Sequence, residues 1–357
     1  MLVSRDISAI SIPFSAGVMS AAYLPLGELS LYTAASLLCV AVPACLAMAC
    51  MHHRSRLPEI ACFFLLGALV CLSARTSIPV SGREWRLPQR ALCSLTAMID
   101  GIDFGYPDSS SLIKALLTGD RSSLSPELTG AFRDSGAAHI LALSGLHMGI
   151  IYGLLAKVLS CLGRSRTAIL IRSSAAIAAC AFYMVMTGAS PSVARAFLFI
   201  TLNELARISK GRRRAPLNIF CAALMIQLCF DPLSARSVGF QLSYLAMLGI
   251  YTIFPMMKSW CPDNWWKPVR KLWSASALSI SCQLMTAPIA WIYFRSFPVY
   301  FLITNLIALP LTEAFITLAV ITLILSAAGI CPDIMKDLTG LCGQILIDCI
   351  ETIASIS

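Results

Sequence analysis

Charge is scarce in this chain. Of its 357 residues only 13% are Asp, Glu, Lys or Arg, about half the fraction found in ordinary soluble domains. That composition excludes an ordinary soluble globular class. Histidine is scarcer still, at four residues. No C-x-x-C pair and no Cys/His cluster has the spacing of a zinc site, so neither a metal nor any other cofactor is expected. The fifteen cysteines are an odd number and lie mostly inside apolar runs, as Cys39, Cys45, Cys180, Cys221, Cys282 and Cys349 do. They read as small buried hydrophobes rather than a disulfide framework. A G-x-x-x-x-G-K-[ST] loop is missing as well, so work driven by ATP would need a separate protein. Gly/Ser-rich linkers, long repeats and low-complexity tracts are also absent.

What the chain has instead is apolar length. Hydrophobic residues make up 58% and the mean hydropathy is +0.79. Long apolar runs follow one another with short polar, proline-containing or basic breaks, the pattern of an all-α polytopic membrane protein. Candidate helices fall at 10–27, 30–51, 59–78, 138–162, 168–187, 190–208, 216–231, 237–257, 272–294 and 299–330, with a final apolar stretch at 338–356. That is about ten transmembrane helices. The net charge of +9 comes largely from basic clusters at the ends of these runs: "HHRSR" (52–56), "GRSR" (163–166), "KGRRR" (210–214) and "KPVRK" (267–271). Placing each cluster in the cytoplasm requires an even number of crossings between them, and the helix map supplies it. Met1 then lies inside and residues 79–136 outside. The first apolar run has no clear cleavage site, so a retained first helix is expected.

The chain divides accordingly into N-terminal transmembrane helices (1–78), an extracytoplasmic segment (79–136), a multi-helix membrane domain (137–330) and a C-terminal apolar helix (331–357). In the extracytoplasmic segment Ser125 reads as an N-cap with Pro126 at the first helical position, Leu128 and Phe132 share a face, and Gly136 closes the turn. A second short helix, "SLIKALLT", ends at Gly119. Both are expected to lie at the membrane interface.

"AAHILALSGLHMGIIYG" (137–153) is apolar enough for lipid but holds two histidines, a serine and three glycines. Gly145, Gly149 and Gly153 recur every fourth residue and form a stripe along which another helix can pack closely. Ser144 and His147 project from roughly the opposite side, about 60° apart. As nucleophile and base they would make an intramembrane serine hydrolase, although no acidic residue on the segment orients the histidine. His139 is placed at the interface.

"TGASPSVARAFLF" (187–199) offers Ser190 as an N-cap, Pro191 at the first helical position and Arg195 in the second turn. A cation there opposes the helix dipole and is costly in hydrocarbon, so it needs an anionic partner or water, unless it snorkels to the headgroups. Gln241, Tyr244, Gln283, Thr286, Arg295 and Asn305 add polar groups that could line a path or serve as interhelical glue. The apolar stretch from Val299 to Ile330 would be about 48 Å long as one helix, against a hydrocarbon core of about 30 Å. A break or strong kink is expected near Pro310.

The order of these motifs resembles the ComEC family, the polytopic channel proteins of bacterial DNA uptake. The resemblance rests on "ALLTGDRSSLSPEL…FRDSGAAHILALSGLHMG" (115–149), "TGASPSVARA" (187–196), "DPLSARSVGFQLSYLAMLGI" (231–250) and "QLMTAPIAWIYF…LITNLIALPL" (283–311). It implies a channel that passes single-stranded DNA, with Ser144, His147, Arg195, Gln241, Gln283, Arg295 and Asn305 toward the path. Family members commonly carry an extracellular OB-type domain and a C-terminal metallo-β-lactamase-like domain. Interfacial helices occupy the outside interval here and no H-x-H-x-D-H signature occurs. The resemblance therefore implies a shortened or split relative without nuclease activity or other catalysis of its own, served by a separate DNA receptor, nuclease and motor ATPase, with homo-oligomerisation open. A transporter of another anionic substrate is the competing reading, since Arg195 and a broken helix suit anions in general.

Overall fold

The computed structural model describes residues 7–25, 30, 33–34, 36–43, 57–76, 86–163, 165–209, 216–262, 264–295 and 300–356. Among these all regular structure is helical. Lipid offers no partners to backbone N–H and C=O groups, so a spanning segment must satisfy them along its own length. In chain order the helices are α1 (Ser8–Tyr23), α2 (Leu57–Thr76), α3 (Arg86–Asp100), α4 (Ser109–Thr118), α5 (Pro126–Asp134), α6 (Ala138–Leu141) and α7 (Gly145–Val158). There follow α8 (Arg166–Met186), α9 (Pro191–Ile208), α10 (Pro216–Phe230), α11 (Val238–Ser259), α12 (Lys267–Phe294), α13 (Phe301–Ala327) and α14 (Asp333–Ile356). Residues 36–43 are helical too. The basic clusters at 52–56 and 210–214, Arg164, Met1 and much of the candidate helix at 30–51 lie outside the described residues.

Seven stretches among the described residues are long and apolar enough to cross a membrane: Glu59–Thr76, Gly145–Leu162, Arg166–Met186, Val238–Ser259, Lys267–Phe294, Phe301–Ala327 and Asp333–Ile356. The shorter α10 is apolar as well. α9 has spanning length but carries Arg195, Glu204 and Arg207. The protein is an all-α polytopic membrane protein.

Three cores are formed among the described residues. In the largest, Ile99, Leu112, Leu116, Phe132 and Leu141 from α3 to α6 pack with Phe315 of α13 and Leu346 of α14. A second joins α1, α2, α10 and α11 through Phe14, Val18, Leu72, Phe220 and Tyr244. The third, of Met148, Cys180, Tyr183 and Val193, lies where α7, α8 and α9 meet. α1 and α2 run parallel: Gly17 abuts the Phe64 carbonyl and Gly67 the Phe14 carbonyl. Further along both helices Arg75 Nη1 donates to the carbonyls of Ala21 and Leu24, each at 2.9 Å.

Two expectations from the sequence need correction here. α4 is not a surface helix: Leu112, Ile113, Ala115, Leu116 and Leu117 are all buried, and it packs on α13 and α14. Its apolar residues go nearly all round, which suits a helix enclosed by others rather than one on an interface. Second, α13 runs through Pro310 without interruption. At 27 residues it is about 40 Å long, within the roughly 40–45 Å of a bilayer with its headgroup layers, so its length does not demand a break. Pro310 frees the Leu306 carbonyl, a loss that membrane helices tolerate when neighbouring helices enclose them. The capping chemistry of α5 is as the sequence indicates: Ser125 Oγ accepts from the Leu128 N–H at 3.1 Å, Pro126 follows, and Gly136 takes a positive φ of 78°.

Candidate functional site

The first turns of α7, α9 and α11 lie side by side. A Cβ on Gly145, the first residue of α7, would come within 3.3 Å of Ala196 Cβ on α9. One residue earlier on α9, Arg195 Nη2 reaches the Gly239 carbonyl in the first turn of α11 at 3.4 Å. α13 begins nearby, where Thr304 Oγ1 donates to the Ser135 carbonyl at 2.7 Å, just ahead of α6. Helix N-termini carry partial positive charge and unpaired N–H groups, so their meeting biases this end of the bundle toward anions.

The segment 137–153 is not one helix. α6 ends at Leu141, Ala142 is extended, and Ser144 caps α7 with an extended φ of −119° and ψ of 166°. Ser144 Oγ accepts from the Leu146 N–H at 3.2 Å, and the Ser144 N–H donates to His147 Nδ1 at 3.2 Å. The pair thus forms a capping box, in which each side chain serves the other's end of the turn. Neither bonds to the other's side chain in the manner of a nucleophile and base. Because Nδ1 accepts, a neutral His147 carries its proton on Nε2. That Nε2 is buried without a partner, and the residue is fully enclosed. One and two turns on, Ile150 and Leu154 share its face and belong to the core that includes α13.

The glycine stripe is corrected at two of three positions. A Cβ at Gly149 or Gly153 would meet nothing within 4 Å, whereas Gly145 is closely approached. Glycine spacing on one helix cannot tell whether a partner helix follows its whole length. Close approaches occur instead at lone glycines: Gly249 against the Ser281 carbonyl and Gly340 against the Phe104 carbonyl.

Arg195 is 2% exposed. Its Cζ stands 5.2 Å from the centre of the Tyr244 ring and 6.0 Å from that of Phe240. Nη2 donates to Ser192 Oγ at 2.9 Å, while Nη1 is buried without a partner. Among the described residues it makes no ion pair. Burying an arginine costs up to about 2.5–3.5 kcal/mol on insertion scales, the value at the centre of a spanning helix, and cation–π contacts return up to about 2 kcal/mol when desolvated. The rings therefore offset most of the cost but leave hydrogen-bonding capacity unused. They are held in turn by Tyr244 Oη donating to Gln227 Oε1 at 2.9 Å. Ser190, at the N-cap of α9, accepts no capping bond. The residue before it, Ala189, is left-handed at φ 51°.

The remaining sequence candidates are more scattered. Gln241 lies near Arg195 along α11, but its Nε2 is taken by Tyr23 Oη at 2.6 Å and the Ala235 carbonyl at 2.9 Å. Asn305 is in the second turn of α13 with Oδ1 buried and unpartnered. Gln283 stands midway along α12, with no bond to the Arg195 cluster, and Arg295 is at the exposed left-handed end of the same helix.

One cluster is absent from the sequence reading. Glu204, 3% exposed on α9, accepts hydrogen bonds from Tyr152 Oη of α7 and Ser173 Oγ of α8, and Arg207 Nη1 lies 3.6 Å from it. A lone carboxylate four-fifths of the way along an apolar helix was the available signal. No group of three or more His, Cys, Asp or Glu side chains with metal-binding geometry occurs among the described residues.

Comparison with known families supplies the context. Residues 116–357, more than half of the chain, match the family described as Competence protein. The chain belongs to the competence protein family. Almost all of the four sequence blocks lie within that stretch. ComE operon protein 3 of Bacillus subtilis (strain 168) is 30% identical over 210 residues, 57% of this chain and 25% of that protein. Competence protein ComA of Neisseria gonorrhoeae is 32% identical over 189 residues, 50% of this chain and 26% of that protein. A third relative, the uncharacterized protein YcaI of Escherichia coli (strain K12), is 29% identical over 224 residues, 59% and 28% of the two chains. The chain thus spans about a quarter of the length of the curated relatives it matches. No solved structure matches.

Proposed function

We propose that the chain forms the membrane conduit through which single-stranded DNA is taken up across the bacterial cytoplasmic membrane, with its N-terminus inside, residues 79–136 outside, and residues 137–330 as the channel domain. The observation that carries this reading is Arg195: a buried guanidinium with an unpartnered Nη1, no carboxylate in reach among the described residues, and two helix N-termini beside it. Such a group suits a phosphodiester moving past, because phosphate contact needs positive charge and free N–H donors but no base recognition. His147 Nε2 and Asn305 Oδ1 are further polar atoms at the same end of the bundle. The competence family and the relatives named for competence favour DNA as the substrate. DNA capture, removal of the second strand and the driving force fall in this reading to separate proteins: a receptor, a nuclease and a motor ATPase.

A second reading, transport of a smaller oxyanion, draws on the same Arg195, since an arginine between helix N-termini accepts any phosphate or carboxylate. Uptake of labelled DNA, measured per folded molecule in cells carrying Arg195→Ala and Arg195→Lys, decides between them. The conduit reading expects uptake to collapse in the alanine variant and to recover in part in the lysine variant, at near-normal abundance. Wild-type uptake by Arg195→Ala would remove this residue from the path.

A further inference from the structure

A cavity of about 430 Å³ opens on α5. The face of α5 formed by Pro126, Thr129, Gly130 and Arg133 provides one wall; Arg121 and Leu124 of the preceding loop and Leu141 of α6 complete it. Positions 126, 129, 130 and 133 share one side of a helix, while Leu128 and Phe132 on the other side are buried in the large core. α5 thus turns a positively charged face to the cavity and its apolar face to the bundle. No acidic side chain lines it. The acidic neighbours are turned aside or engaged elsewhere. Glu127 and Asp134 lie about 100° round α5 from the centre of the cavity face. Asp120, next to Arg121, accepts the Ser122 N–H at 2.9 Å, and that bond holds its carboxyl below the usual carboxylate range. Arg133 meets the Asp134 carboxylate only at 3.7 Å, in an exposed setting, where such a pair contributes little.

We propose that this cavity is the entry station for the strand, a site that takes a phosphodiester group between Arg121 and Arg133 with the attached nucleotide against Leu124 and Leu141. This rests on the conduit reading above for the identity of the ligand. Two guanidiniums over an apolar floor match a nucleotide, which presents a charged phosphate and a flat, largely apolar base within one small unit. The position fits as well: Leu141, in the cavity wall, is three residues from Ser144, the cap at which α7 begins beside Arg195's helix. A strand bound here is therefore delivered to the meeting point of the helix N-termini.

Gly130 provides a test that does not touch the arginines. A Cβ there would meet nothing within 4 Å, and any residue other than proline favours a helix over glycine, so Gly130→Leu fills the cavity and leaves the fold intact. Binding is measured by anisotropy of a fluorescent oligothymidylate with the full chain in nanodiscs of phosphatidylcholine, which needs no transport. Expected is a Kd about tenfold weaker or more for Gly130→Leu and for the double variant Arg121→Gln, Arg133→Gln, and for the double variant a flattening of the log Kd against log salt slope by about 1.4, the value for two phosphate contacts on a single strand. Unchanged binding in both cavity variants overturns the site. So does a wild type that binds no oligonucleotide, whatever the uptake assay says of Arg195. If the variants instead lose only affinity for phosphatidylglycerol added to the nanodiscs, the cavity is a lipid headgroup site and the assignment to DNA is overturned. Unchanged binding in both cavity variants, beside an uptake that Arg195→Ala abolishes, overturns this site and leaves the conduit reading standing.

Discussion

Arg195 and Glu204 stand nine residues apart on α9 and face opposite sides of it. Nine residues turn a helix by two and a half revolutions and advance it by about 13.5 Å. Arg195 accordingly meets the rings of Phe240 and Tyr244 on α11, while Glu204 meets Tyr152 of α7 and Ser173 of α8. The two charges do not neutralise each other. The acid has donors on two other helices and ties three helices together; the base keeps an unused donor.

That asymmetry predicts opposite effects on stability. Arg195→Met should raise the thermal midpoint in detergent, because it removes a buried charge whose cost, up to about 2.5–3.5 kcal/mol, is only partly offset by ring contacts; the expected gain is up to about 1 kcal/mol. DNA uptake should be lost in the same variant. A fall in the midpoint would mean that Arg195 is a structural partner rather than a free donor.

Glu204→Ala should be destabilising by about 2–4 kcal/mol, since it leaves the Tyr152 and Ser173 hydroxyls without their acceptor. Glu204→Gln, which keeps one acceptor oxygen, should lose less than half of that. Folded yield by size-exclusion profile reads both, and equal yields for the two would show that the hydroxyls find other partners.

Glycines in this protein are not interchangeable. Gly249→Ala places a Cβ 2.4 Å from the Ser281 carbonyl, so α11 and α12 must separate, at a cost of about 1–3 kcal/mol. Gly149→Ala meets nothing and should be neutral or stabilising by up to about 1 kcal/mol through helix propensity. Thermal midpoints of the two variants, measured side by side, check the order.

The orientation is tested from outside the cell. Ser123→Cys, in a chain whose native cysteines are replaced by alanine, should react with a membrane-impermeant maleimide in intact spheroplasts, because Ser123 is exposed in the segment read as extracytoplasmic. Reaction only after permeabilisation would invert the topology.

Much of this architecture is written in the chain, because apolar length and end chemistry are local properties. The run from Arg166 to Met186, the Ser125 cap with Pro126, and the left-handed Gly119 and Gly136 all follow from a few adjacent residues. The buried position of Arg195 could be anticipated as a cost, but its ring partners sit some 45 residues away and have no local signature. Glu204 went unread for the same reason: nothing near it announces Tyr152 or Ser173. The break between Leu141 and Ser144 was hidden by composition, since Ala142 and Leu143 are as apolar as the helices on either side. The break expected at Pro310 does not occur, because a proline states what one backbone position lacks and not what its neighbours can absorb.

The parallel pairing of α1 and α2 also settles a question of parity. Two helices that meet at Gly17 and Gly67 and again, in the same order, at Ala21 and Arg75 have their C-terminal ends on one side of the bilayer. α2 is about 30 Å long, the thickness of the hydrocarbon layer it crosses. A chain that leaves α1 on one side must therefore travel back over that distance before α2 can start. An even number of passages between them, zero included, is closed off, and the helical residues 36–43 fall midway between the two helices in sequence. Counting crossings this way needs neither a hydropathy threshold nor a charge rule, only the order of contacts along two helices.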